Sequence, residues 1–188
     1  MKRLKRGFYT KKTLKVAKEL LGKYIVRKIG KKKLEGKIIE TEAYIGPKDR
    51  ASHAFQGRVT PRNKAEYLIG GHIYIYLVYG IYWQMNISTA KAGEPECVLI
   101  RALDLGKLAS GPGKLCQYLK LDKSFYGEDL TKSKRIWLED PEAKQVCYGA
   151  GRGEKPKKYK IVATKRVGID YAGPYWASKK WRFLLKEI

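Results

Sequence analysis

Two acids and a tyrosine alternate in Glu40-Thr-Glu42-Ala-Tyr44. Successive side chains of a strand point to opposite faces, so Glu40, Glu42 and Tyr44 share one side while Thr41 and Ala43 point back. Acids are depleted in strands, and here they are scarce altogether, with 18 Asp plus Glu against 41 Lys plus Arg. A lone Glu in a strand is most simply part of a solvated face. Two acids beside a tyrosine, directly after the apolar Ile38-Ile39, point instead to a site where a carboxylate acts as general base on water.

A second constellation is aromatic. Tyr74 and Tyr76 fall on one face of their segment, and Tyr82 shares a face with Gln84 and Asn86 in the next. Core packing alone accounts for most tyrosines in such a run. Tyr79 differs, because it stands beside Gly80 in the turn between the two segments and is expected to be exposed. An exposed aromatic on a highly cationic protein can wedge between bases.

The segment Gly111-Pro-Gly113-Lys114 invites a phosphate-loop reading, but that motif requires Ser or Thr after Gly-Lys, and Leu115 follows here. Nucleotide hydrolysis is excluded. Backbone amides at a helix start, such as that of Gly113 with Lys114 beside it, can still hold a DNA phosphate. His53 lies in a polar loop from Lys48 to Pro61, and a histidine alone is more often a surface residue than a catalytic one. No Ser-His-Asp arrangement is readable, and no Cys has a His at a motif spacing.

Composition narrows the setting. The chain has 188 residues, the length of one domain, and a formal net charge of +23. Aromatics at 12% and apolar residues at 44% describe a globular chain rather than a disordered one. Thermophilic surface chemistry would raise both signs of charge, whereas here the acids lag far behind. So large a positive surplus is best matched by a polyanion, and neutralised phosphates release counterions that drive nucleic-acid binding. No basic helix with a large apolar face and no apolar run of bilayer length is present, so no membrane is expected. The basic start lacks the apolar stretch of a signal peptide. Cys97, Cys116 and Cys147 are odd in number and widely spaced, and there are two histidines, His53 and His72. Disulfides and a metal centre are therefore not expected, and a reducing, cytoplasmic compartment is.

The elements that must position these residues follow from pattern. Thr10 or Thr13 is expected to cap a helix with the stripe Leu14, Ala17, Leu20 and Leu21, closed by Gly22. Strands are read at 24–27 and 34–45, a short helical stretch at 62–69, and a hairpin from His72 to Ser88 turning at Tyr79-Gly80. A strand at 97–103 precedes a loop at 110–113 that opens a helix through Leu119. Further strands are read at 135–138, 160–163 and 181–185, with Lys155–Lys160 as a basic surface loop. No composition break marks a second domain. The expectation is a single α+β domain over residues 1–188, with a mostly antiparallel sheet.

Several stretches together carry a specific likeness: Gly36-KIIETEAYIGPKD-Arg50, Ser52-His53, Thr60-Pro-Arg-Asn63, Tyr74-IYLVYGIYWQMNIS, Cys97-VLIRAL, Ser110-GPGKLCQ and Arg166-Val-Gly168. In this order, the chain resembles the alkyladenine (3-methyladenine) DNA glycosylase family, methylpurine DNA glycosylase type. The resemblance implies a curved antiparallel sheet with flanking helices and a protruding β-hairpin. It also implies a monofunctional enzyme of base excision repair without cofactor, acting as a monomer on double-stranded DNA. Such an enzyme flips a damaged purine out of the duplex and hydrolyses its N-glycosidic bond. Glu42 matches the residue that activates the water, Arg101 and the carbonyl of Val167 the groups that hold it, and Tyr79 the residue that fills the gap. Tyr44, His53 and Tyr76 match the stacking pocket, and Asn86 the residue that disfavours the guanine 2-amino group. The connection from Leu103 to Ser110 is very short compared with vertebrate relatives, and Ile81 stands where some relatives have Met. Competing expectations are the same scaffold restricted to hypoxanthine and a non-catalytic nucleic-acid-binding module.

Overall fold

The computed structural model describes residues 2–141 and 158–188. Its elements in chain order are β1 (Lys2–Arg3), α1 (Arg6–Tyr9), α2 (Thr13–Glu19), β2 (Tyr24–Ile29), β3 (Lys32–Ile45), β4 (Ile73–Val78) and β5 (Tyr82–Ser88). They continue with β6 (Glu96–Leu103), α3 (Pro112–Tyr118), β7 (Ile136–Asp140), β8 (Tyr159–Thr164), α4 (Pro174–Ala177) and β9 (Arg182–Glu187). One sheet joins the strands in the order β1-β7-β2-β3-β6-β5-β4, with β9 added to β3 and β8 to β9. Every described pairing is antiparallel, in keeping with the α+β expectation.

The long strand β3 organises the site. Its first half pairs with β2, and its second half lies between β6 and β9. Where the halves meet, the β3–β6 register shifts between Ile38, Glu40 and Thr41, so that Ile39 on one strand and Arg101 on the other are skipped. Irregularities of this kind bend strands and re-aim side chains. Beyond the shift, Glu42 lies opposite Leu99, Leu99 opposite Asn86, and Asn86 opposite Tyr74. Four strands thus set Glu42, the base-pocket candidate Asn86 and Tyr74 in one row on one face. The next row carries Tyr44 opposite Cys97.

The alternate residues of these strands form the core. Ala43, Ile75, Met85, Ile87, Val98 and Ile100 are buried with Val16 of α2, Leu20 directly after it and Leu115 of α3. Burial of one apolar face by these two short helices leaves the opposite face free for the polar row. Gly36 admits a close approach, since a Cβ there would stand 2.9 Å from Leu103 Cδ1.

Some local expectations need correction. Neither Thr10 nor Thr13 caps α2; its N-cap is Lys12, without a side-chain bond. The Thr13 hydroxyl is instead held by Thr89 Oγ1 at 2.6 Å and by Glu96. The helical stretch at 62–69 is only the 3-10 turn Lys64–Tyr67. In the expected loop Lys155–Lys160, Tyr159 and Lys160 belong to β8, while Lys155 to Lys157 lie outside the described residues, as does Cys147.

Candidate active site

Glu42 is 0% exposed, and its carboxylate is held on both oxygens. Oε1 accepts the Val167 backbone N–H at 2.9 Å and lies 3.4 Å from Arg101 Nη1, while Oε2 accepts the Tyr44 hydroxyl at 2.9 Å. Burial pushes the Glu42 carboxyl above its ordinary range, and the Arg101 charge, the Val167 amide and the Tyr44 hydroxyl oppose that shift without cancelling it. Desolvation disfavours the charged form, and donors restore part of it. The result is a carboxyl more basic than a free glutamate with a cation beside it. The contact seen at Val167 is made by its amide.

The second acid of the pair has a different task. Glu40 Oε1 accepts Nε of Arg101 at 2.7 Å and Nε of Arg182 at 2.6 Å. Charge-assisted bonds of this kind fix side-chain geometry, so Glu40 sets the direction from which Arg101 meets Glu42. The alternation in ETEAY therefore places a positioning acid, a buried acid and a phenol on one side, as β3 requires.

The segment bearing Val167 is locked by a fully buried ion pair. Arg166 Nη1 and Nη2 lie 2.5 and 2.9 Å from the two carboxylate oxygens of Asp49, and both side chains are 0% exposed. Arg166 also donates to the Ala43 carbonyl at 3.0 Å and stacks over the rings of Tyr44 and Trp181. Asp49 accepts the backbone N–H groups of Ile45 and Ala51 as well. Residues on both sides of this lock thus meet at Glu42. Sequence reasoning assigned neither Asp49 nor Arg166 a role. Each sits inside a stretch that carries the family likeness, which was the one available signal.

A cavity of about 360 Å³ opens in front of this cluster, within the range of small-molecule sites. The structure brings Tyr44, His53, Tyr76, Tyr79, Asn86, Arg101 and Val167 to its walls. Glu42 itself stands behind its three partners, out of contact with solvent. The Tyr74 and Tyr76 rings lie 5.1 Å apart, and the His53 ring sits 4.8 Å from that of Tyr76. His53 Nδ1 is 2.6 Å from the Tyr74 hydroxyl. The histidine is exposed as a whole, yet desolvation of its imidazole and the charge of Arg62 pull it below the ordinary histidine range, so it is neutral at pH 7. Asn86 is buried, donates to the Tyr74 carbonyl at 3.3 Å and faces Cys97 Sγ at 3.8 Å.

At the cavity mouth the β4–β5 hairpin turns at Tyr79 and Gly80, both with positive φ (53° and 71°), closed by Ile81 N–H to the Val78 carbonyl. Positive φ is unfavourable for a residue with a Cβ, so the aromatic holds this place against a local cost. Tyr79 is 90% exposed. Gly113 and Lys114, by contrast, are not among the residues lining the cavity. Both lie in the first turn of α3, and Lys114 is exposed. A Cβ on Gly113 would stand 2.8 Å from Tyr82 Cδ1, so the glycine lets α3 dock on the hairpin.

The family model for methylpurine-DNA glycosylase matches residues 7–188. Among similar proteins, one from Desulfitobacterium hafniense (strain Y51), provisionally named a 3-methyladenine DNA glycosylase, is 39% identical over 100% of this chain and 97% of its own length. A protein of the same provisional name from Methanocella arvoryzae is 38% identical over 98% of this chain and 92% of its own. The human DNA-3-methyladenine glycosylase is 37% identical over 98% of this chain and 66% of its own. The matched residues, the antiparallel sheet and the placement of the likeness-bearing stretches around one cavity agree, and this chain belongs to the methylpurine-DNA glycosylase family.

Proposed function

We propose that this protein is a monofunctional glycosylase that flips a damaged purine out of duplex DNA and hydrolyses its N-glycosidic bond, leaving an abasic site. Its family consists of DNA glycosylases, hydrolases of N-glycosyl bonds. The observation that carries the reading is Glu42: a buried carboxylate, raised in basicity, at the back of a tyrosine-walled cavity with an exposed tyrosine at its mouth. A pure nucleic-acid binder has no use for an acid at that place.

In this reading Glu42 takes the proton of a water that attacks the sugar carbon, and its charge stabilises the oxocarbenium character developing there. Arg101, aimed by Glu40, and the Val167 carbonyl hold that water. Tyr44, Tyr76 and His53 stack around the extruded base, which recovers part of the unstacking cost. A cationic alkylated purine, such as 3-methyladenine or 7-methylguanine, gains further from electron-rich phenol faces; hypoxanthine is the neutral candidate. Asn86 disfavours the guanine 2-amino group. Tyr79 fills the vacated stack, and the first turn of α3, with Gly113 and Lys114, meets a backbone phosphate. The protein acts as a monomer on chromosomal DNA inside the cell. Among the described residues no helix is long and apolar enough to cross a membrane.

The test is base release from duplexes carrying one hypoxanthine, or randomly methylated purines, read as strand breaks after alkali. Breaks are expected only after alkali. The Glu42→Gln variant should lose about 10²- to 10⁴-fold in rate while lesion-duplex affinity is retained. Breaks without alkali would indicate a lyase. Tight binding with no release by the unaltered protein would leave a binding module, and loss of folding in Glu42→Gln would make Glu42 structural.

A further inference from the structure

The cavity wall holds one more carboxyl that this mechanism does not use. Glu66 lies on the 3-10 turn Lys64–Tyr67, is 1% exposed, and lines the same cavity as Tyr74, Tyr76 and Asn86. Its Oε1 accepts the Cys97 thiol at 3.3 Å, but its Oε2 is buried without a hydrogen-bond partner. The Asn63 amide, three residues earlier, directs its hydrogens to the carbonyls of His53 and Arg58 at 3.2 and 2.8 Å. An unpaired buried oxygen in a native structure demands a reason, and a ligand that brings the missing donor supplies one.

We propose that Glu66 is a specificity-determining residue of the base pocket, whose free carboxyl oxygen meets the extruded purine and favours one carrying positive charge and N–H donors over a neutral one. The proposal rests on the reading of the cavity as a purine site. The charged and titratable surroundings support it. From β4 come Tyr74 and Tyr76, from β6 Cys97, from the segment after Phe125 Tyr126, and from its own turn Tyr67. Each of these is pushed upward, chiefly by burial, and so stays neutral; β5 presents only the uncharged Gln84 and Asn86 to the cavity. Arg62, over the Tyr76 ring, is a cation on the same wall and would repel a cationic base unless an anion offset it.

Burial pushes the Glu66 carboxyl up to about 7, with the Cys97 thiol opposing. Near neutrality the group is divided between acid and carboxylate. A cation entering the cavity draws the proton off, and by linkage each unit of downward shift corresponds to about tenfold tighter binding of that cation. A neutral purine earns no such gain.

The experiment compares release of 3-methyladenine from methylated DNA with release of hypoxanthine from a defined duplex, in single turnovers from pH 6 to 7.5. For the unaltered protein the ratio of the two rates should rise by about fivefold to tenfold as Glu66 ionises. Glu66→Gln, neutral at every pH and nearly isosteric, should flatten that rise and lower the ratio at pH 7.5 by about tenfold. A ratio and a pH profile shared by both proteins would overturn the proposal. So would equal losses on both substrates, which describe mere packing. If Glu66→Gln does not fold, the profile of the unaltered protein decides, and a flat ratio refutes. Release of neither base by the unaltered protein is the separate failure of the glycosylase reading itself and removes the purine site on which this inference depends.

Discussion

Replacing Arg166 by Met removes the cation from a pair in which both side chains are fully buried. It leaves the Asp49 carboxylate with the Ile45 and Ala51 amides at 3.2 and 3.0 Å and no countercharge. Breaking such a pair from one side costs about 3–5 kcal/mol, because the orphaned charge stays desolvated. For a domain of this size each kcal/mol lowers Tm by about 2–4 °C, so Arg166→Met should lower Tm by roughly 6–20 °C. The double variant Arg166→Met/Asp49→Leu removes the stranded charge. It gives up two amide bonds and the Arg166 bond to the Ala43 carbonyl, at about 1 kcal/mol each, and should therefore lie within about 3 kcal/mol of the unaltered protein. Base release should behave differently. Both variants lose the tether that brings Val167 to 2.9 Å from Glu42, so the double variant should regain stability without regaining activity. Thermal unfolding followed by circular dichroism, paired with single-turnover release, separates the two. A double variant less stable than Arg166→Met would show that the cost lies in lost packing over Tyr44 and Trp181. Full activity in the double variant would refute the positioning of Val167 by this pair.

Other expectations follow from the same geometry. Tyr79→Ala should leave Tm nearly unchanged, since the ring is 90% exposed, but should weaken lesion-duplex binding by about 1–3 kcal/mol. Equal weakening on undamaged DNA, measured by fluorescence anisotropy, would reduce the ring to a general contact. Binding should fall about a thousandfold between roughly 50 and 200 mM salt if six or more phosphates are neutralised, and a flat response would contradict a DNA partner for the +23 charge. Glu66, raised to about 7, binds its proton more tightly in the folded than in the unfolded state. Its stabilising share is therefore full below the ordinary glutamate range and is lost as pH rises through 7. The Tm of Glu66→Gln should gain on that of the unaltered protein between pH 5 and pH 8, by up to about 3 kcal/mol in stability. A constant difference across that window would place Glu66 in contact with solvent.

Much of the site was legible because strand periodicity is a local property. The alternation in ETEAY puts Glu40, Glu42 and Tyr44 on one side whatever surrounds them, and the hairpin signal at Tyr79-Gly80 needs only the two flanking strands and a residue tolerant of positive φ. Those elements appear where expected, with β3 beginning at Lys32 rather than Leu34. Strand positions, the face each strand candidate occupies, the charge that selects a polyanion and, through the ordered stretches, the family are all local or compositional properties, and they could be read directly.

The remaining features depend on contacts between residues far apart in the chain. The register shift that skips Ile39 and Arg101 arises from pairing between β3 and β6, and no strand pattern announces that Arg101 meets both Glu40 and Glu42. The Asp49–Arg166 lock spans 117 positions, and no local pattern announces a buried charge whose partner arrives from the other end of the chain. Glu66 stands in a short 3-10 turn, and nothing in its local pattern marks it out. Only packing against β4, β5 and β6 removes its water, and desolvation, rather than residue type, gives a carboxyl its chemistry.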